Sequence, residues 1–418
     1  YSTGKADHIA GITTPDDYTI KFDMEYPNAL FVYQCVLPFA PAILPEHILG
    51  SVKPADLEKH PFFHQNPVGF GPFKFVKFVA DQYVEMDANP DYFLGKPKLD
   101  KFFFRIIAQL DTAMLAIQNG AVDVNAEQGP QMTKDIMEKF VANPKFGIYG
   151  VAAQVVDAYA FNFRKKYLAD PRIHQAVLYA LDRQKLIDTF DAGAGSIVNS
   201  PLIQPWFQKP EWNQMYPFDP QKAKDLLKAA SWNSSTVVPI SIIKLTSEND
   251  RAQVATEQQM LSDVGFQVKP IEMDVSVWVD KFYNTHDYDM VRVGFGTFPD
   301  PDAFLSFHFV LDSKDAMGFP DWAGKDFTNL VDQGKHGVDR AKRAAIYQQI
   351  NEEYFLKDLP LAPLRRRSSR FVLNRRIAHP YFDRLTPATA VLGMKDGPQF
   401  IEEDDMEFHA EQIDVKPS

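Results

Sequence analysis

Cysteine is nearly missing from this chain: Cys35 is the single one in 418 residues. One thiol closes no internal disulfide and builds no multi-cysteine metal site. It stands near Tyr33, Val36 and Leu37 in an apolar run, so a buried and inert side chain is expected, compatible with cytoplasm or periplasm. No run of about 18 apolar residues occurs, so a membrane-spanning helix is not expected. Positive charge is also short. Against 55 Asp+Glu stand 44 Lys+Arg, a net charge of −11, which argues against nucleic acid or an anionic membrane as the main partner. The longest basic run is Arg365–Arg367. Catalytic motifs are lacking too: there is no HExxH, no GxSxG, no phosphate loop and no dinucleotide fingerprint in strand–helix context. His60 and His64 are four apart, but Pro61 spoils the helix that would put both on one face. No catalytic residue, metal site or cofactor is therefore assigned, and an enzyme is poorly supported.

What is present is length for two substantial cores and a well-marked α/β pattern. The clearest stretch is 159–188, YAFNFRKKYLADPRIHQAVLYALDRQKLID. Its first residues alternate like a strand. Asp170 then suits the N-cap and Pro171 the first helical position, and Ile173, Ala176, Val177, Ala180 and Leu181 form an apolar stripe. The segments on either side read as separate bodies, so a boundary is expected here.

Before it, 14–24 reads as a turn and an alternating strand, and 29–49 as an apolar segment cut by prolines. Residues 66–78 read as a Gly/Pro loop feeding a strand, in which Phe73, Phe75 and Phe78 do not share one face and burial on both sides is expected. Strand 102–107, helix 111–119 closed by Gly120, and a strand at 122–124 follow. After it come a helix within 216–232 capped by Asp219-Pro220, strands at 237–245, 266–271 and 289–295, helices at 250–264 and 341–356, and a strand at 363–373.

Four stretches carry a resemblance: NPVGFGPFKF (66–75) with NPDYFLGKPKLDKFFFRII (89–107), the central stretch above, YPFDPQKAKDLLKAASW (216–232), and YDMVRVGFGTFPDPDAF (288–304). In this order the chain resembles the extracytoplasmic solute-binding proteins of the dipeptide/oligopeptide/nickel class (family 5), which feed ABC importers. The resemblance implies an α/β fold of the two-lobe periplasmic-binding-protein kind, type II, in its large three-domain class. Lobe I would comprise 1–160 with a return at 363–418, and lobe II 165–360, with hinge crossings near 161–164 and 360–365. The chain opens on the polar YSTGKADHIAG without a Met or a signal peptide, and the first part of lobe I is expected to be missing. The implied partners are a peptide or other small ligand and the membrane subunits of the importer. The implied setting is periplasmic or lipid-anchored, with a monomeric, non-catalytic protein.

Two departures bear on the ligand. Phe70 separates Gly69 from Gly71 where the family loop usually reads G-T/S-G-P. Peptide-binding relatives often carry an Asp shortly after the pair matching Gly294-Phe295, and here Thr297 or Phe298 stands in its place. A free-amine peptide is thereby less favoured, leaving sugars, opine-like conjugates or other small amphiphiles open. The loop after the strand, Phe295, Gly296, Thr297 and Phe298, is the best local candidate for ligand contact, because crevices form at strand ends and glycine admits close approach. Asp300 matches the following D-P-D, and Arg292 lies on the same strand. Trp206 and Phe70 are candidate pocket walls, with core packing as the alternative. Arg365 and Arg367 are candidate anchors for an anionic ligand group, with strand residues facing water as the alternative. A sensor or chaperone-like relative and, more remotely, a hydrolase are the rival readings.

Overall fold

The computed structural model describes residues 11–28, 31, 35, 43–125, 134–193, 195–245, 247–296, 300–310, 319, 322, 324–378 and 414–415. The chain divides into two compact units. The first comprises 1–125, 374–384 and 407–418; the second comprises 126–373 and 385–406. The stretches expected to cross between lobes, 161–164 and 360–365, both lie inside the second unit.

In the first unit, strands β1 (Ile12–Asp16) and β2 (Thr19–Phe22) form an antiparallel hairpin with exposed faces. Strands β3 (Phe73–Val79), β4 (Tyr83–Ala88) and β5 (Lys101–Arg105) form an antiparallel sheet in that order. The expectation for β3 is corrected here. Phe75 pairs with Met86 and Phe78 with Val84, with a register shift at Val76. A bulge of this kind adds one residue and flips the alternation. Phe73, Phe75 and Phe78 therefore share one face, and Phe78 is 51% exposed rather than buried. Helix α1 (Leu110–Gln118) follows and ends with Gly120 at φ +79°. Val124 makes only a single bridge, not the expected strand. Cys35 is exposed, which overturns the buried reading.

The second unit carries helix α2 (Lys134–Val141) and is built on a mixed five-stranded sheet in the order β10-β6-β9-β7-β8: β6 Phe146–Phe161, β7 Val237–Ile243, β8 Gln267–Met273, β9 Met290–Gly296 and β10 Leu361–Asn374. β6 runs antiparallel to β9, and β7 runs parallel to both β8 and β9. Side chains alternate across a strand, so each strand feeds two cores. Tyr159, Phe161 and Met290 enter one core with helices Pro171–Ala180 (α3), Pro220–Ala229 (α5) and Glu248–Asp263 (α6). Ala158, Ala160, Val291, Val293 and Phe295 enter the other, against helices Lys325–His336 (α7) and Arg340–Ile350 (α8). Covering on both faces explains why β6 and β9 carry so few charges.

The caps fall where the residues place them. The Asp170 carboxylate accepts from the Arg172 amide at 2.9 Å, and Asp219 accepts from Lys222 at 2.9 Å. The stripe Ile173, Ala176, Val177, Ala180 and Leu181 is wholly buried. The helix stops earlier than its periodicity suggests. Leu181 turns extended, and Asp182 caps a new helix, α4 (Arg183–Phe190), by accepting from Lys185 at 3.0 Å. A carboxylate that bonds its own backbone competes with helix continuation, and here it wins.

Candidate ligand-binding site

The end of β9 beside β6, with β10 on the far side of β6, is the polar part of the sheet. On one face Asp157 sits directly opposite Gly294, and Tyr159 opposite Arg292. The face passes from the apolar core at Phe161 and Met290, through these charged residues, to the exposed Gly296.

Asp157 is 2% exposed and takes two arginines from β10. Arg367 donates from Nε at 2.9 and 3.0 Å to the two carboxylate oxygens, and from Nη2 at 2.6 Å to Oδ1. Arg365 brings its Nε within 3.2 Å of Oδ2 and its Nη1 within 2.6 Å of the Asp191 carboxylate. These two Arg365 contacts are charge pairs whose angles fall short of hydrogen bonds. Burial alone would raise the Asp157 pKa, but the charges of Arg367 and Arg365 outweigh it and hold the carboxyl well below the usual range.

A second buried carboxylate anchors Arg292. Glu257 of α6, fully buried, accepts from Arg292 Nε at 3.1 Å and Nη2 at 3.2 Å, from the Tyr159 hydroxyl at 2.5 Å and from Gln253 at 2.8 Å. Burial and then the Glu257 charge push the Tyr159 phenol far up, so it stays a donor. Three arginines thus face three carboxylates, and every pair joins residues distant in sequence.

The candidates separate in the structure. Arg292, Gly296 and Arg367 stand at this sheet end, partly or fully exposed, and Arg365 is buried beneath. Phe295 is 1% exposed, on the opposite face, where it meets Phe304, Phe319 and His308 edge-on or tilted. Asp300 is also buried: it caps the short helix Pro301–Leu305 through the Asp302 amide at 3.0 Å and pairs with Arg343 at 2.7 Å. Trp206 lies in the same neighbourhood, with the Arg340 and Arg343 guanidinium carbons 5.5 and 5.6 Å from its ring centre and Tyr347 edge-on. Phe70 belongs to the first unit and is 69% exposed. Thr297 and Phe298 lie outside the described residues. Sequence reasoning passed over Asp157, Glu257 and Asp191. Of these Asp157 carried a signal, being the one charge in the 16-residue strand Phe146–Phe161.

Residues 1–315 match the family described as bacterial extracellular solute-binding proteins, family 5, middle region. The chain belongs to this family. A Brucella ovis protein named as an ABC transporter peptide-binding protein is 30% identical over 356 residues, 82% of this chain and 64% of its own length. The chain thus spans less than two thirds of that curated relative. Among solved structures, the oligopeptide-binding protein AppA of Bacillus subtilis, in complex with a nonapeptide, superposes with a TM-score of 0.76 at 22% identity, covering 97% of this chain and 78% of that one. AgaA from Agrobacterium tumefaciens, in complex with agropinic acid, gives 0.76 at 22% identity over 98% of this chain and 78% of its own. These two likenesses establish the family 5 fold, mixed α/β of the periplasmic-binding-protein kind. Among the described residues no helix is long and apolar enough to cross a membrane.

Proposed function

We propose that the chain is the extracytoplasmic solute-capturing component of an ABC importer, which binds a peptide or related small solute and delivers it to the membrane subunits. The match to family 5 over residues 1–315 carries this reading. The naming of the Brucella relative as peptide-binding supports a peptide. Binding shifts the population toward a closed form that the membrane subunits recognise. The protein acts by binding alone.

A second reading within the same function is a non-peptide solute. Where the resemblance implies that peptide-binding relatives often carry an Asp for the peptide amine, this chain has Thr297 or Phe298. A relative of the same fold was solved with agropinic acid.

Native mass spectrometry of the purified chain, before and after denaturation, tests both. A released peptide supports the first, and a released sugar or opine-like conjugate the second. Failure to retain or bind any member of a peptide, opine and oligosaccharide panel overturns the solute-capturing reading.

A further inference from the structure

We propose that Arg367 is a specificity-determining residue that receives a carboxylate, or a planar anion of the same shape, from the solute. This rests on the solute-capturing reading and adds to it the chemistry of one ligand group.

A guanidinium is a planar fork with five N–H donors. Asp157 occupies the Nε side of the Arg367 fork, through Nε and one Nη2 hydrogen. Nη1 has no partner among the described residues. Nη1 and the second Nη2 hydrogen make up the end of the fork, which matches the two oxygens of a carboxylate. Arg365 offers no such end: its side chain is 3% exposed and it is held between two carboxylates. The Arg367 side chain keeps 28% of its exposure.

Two features separate this position from an ordinary surface arginine. The first is the depth of the tether. Asp157 is buried, so Arg367 is held before any ligand arrives and little rotamer entropy is lost on binding. The second is Gly294. A Cβ there would lie 2.7 Å from Arg367 Nη2 and 3.1 Å from Asp157 Oδ1, so any other residue would push the guanidinium from its place across the strand. Two residues on, a Cβ at Gly296 would meet nothing within 4 Å among the described residues. Among the described residues, an exposed strip of backbone with no side chain over it therefore adjoins the fork.

The charges around the fork are balanced, Arg292, Arg365 and Arg367 against Glu257, Asp157 and Asp191. An anion is thus selected by the geometry of the free donors at close range, not by a net positive field. The carboxylate could belong to a peptide C-terminus or to a non-peptide acid; the fork recognises what the two share.

The test uses the full chain with four probes: a random tripeptide pool with free C-termini, the same pool as C-terminal amides, a set of N-(1-carboxyethyl) amino acids, and neutral oligosaccharides. Binding is read by native mass spectrometry and calorimetry for the wild type, Arg367→Gln and Arg367→Lys. The wild type is expected to prefer an acid over its amide by about tenfold or more, as one charge-assisted hydrogen-bonded contact supplies. Both variants should bring that ratio near one. Arg367→Lys keeps a cation beside Asp157 and should melt close to the wild type, so loss of preference there is not loss of fold. Preference for tripeptide acids or for the carboxyethyl set tells the two sources apart, and either supports the inference. Equal binding of acids and amides, preference retained in both variants, or binding of the oligosaccharides alone overturns it while leaving solute capture standing. Binding of no probe by the wild type overturns both.

Discussion

Asp157 and Gly294 face each other across β6 and β9, and the space where Gly294 lacks a side chain is filled by the Arg367 guanidinium that Asp157 holds. The pairing makes a coupled unit of three residues from three strands. Gly294→Ala is expected to cost about 1–3 kcal/mol, the usual range for forcing an atom into filled space. Most of that cost should disappear when Arg367 is also truncated to alanine, because the clash is with its Nη2. A double-mutant cycle by urea unfolding measures this coupling. Additive effects would show that the backbone at 294, not the guanidinium, sets the requirement for glycine.

The depressed pKa of Asp157 gives stability a definite pH dependence. A carboxyl whose folded pKa lies below its unfolded value stabilises the fold above the unfolded pKa, about 3.9 for Asp, and loses that contribution as the pH falls toward the folded pKa. At pH 7 Asp157→Asn should therefore be less stable by about 3–5 kcal/mol, since two arginines lose their buried counter-charge. The gap to wild type should narrow as the pH is lowered below about 4. Chemical denaturation at a series of pH values reads it directly, and a gap that stays constant through that range would rule the assignment out.

Asp300 and Phe295 are candidate ligand contacts on the sequence, and in the structure both are also buried and packed. Asp300→Ala removes a helix cap and the partner of Arg343, with an expected loss of about 3 kcal/mol. Phe295→Ala should cost about 3–5 kcal/mol through the cavity it leaves. Ligand affinity, measured well below the melting temperature, should be unchanged in Asp300→Ala. A drop in affinity with unaltered melting would show that Asp300 contacts the ligand.

The exposure of Cys35 is checked most cheaply. One thiol per chain should react with a chromogenic disulfide reagent in the absence of denaturant. A thiol that reacts only after unfolding would return it to the interior.

How much of this was legible in the sequence depended on how local the cause was. The caps Asp170 and Asp219 sit one residue before a proline and act within three residues, so residue type and spacing place both helices. The β9 strand was legible in the same local way, but of β6 only the end from Tyr159 to Phe161 was, and its start at Phe146 was not. The break at Leu181 was less so, because an apolar stripe continues through it while Asp182 captures its own backbone. The face of Phe78 was misread because one bulge residue, Val76, reverses the alternation without changing composition. The candidate site was legible by half. Arg292, Arg365 and Arg367 stood out as charges on apolar strands. What occupies them did not, since Asp157 is 210 residues from Arg367 and Glu257 is 35 from Arg292. Pairings over such distances follow from strand order, and strand order is a property of the whole sheet.

That order also governs timing. β6 ends at Phe161, yet the strand beside it begins only at Met290 and the one on its other side at Leu361. Strands β7 and β8 are close in sequence and joined by one helix, so they can pair early, whereas β6 must wait about 130 residues for its first neighbour. Until then it is a 16-residue, largely apolar segment with a single charge, the Asp157 carboxylate. An isolated charge in such a segment opposes stacking against a second copy of itself. The charge that clasps two arginines in the folded sheet is thus also the one charge that disfavours self-stacking of this segment while it is unpaired.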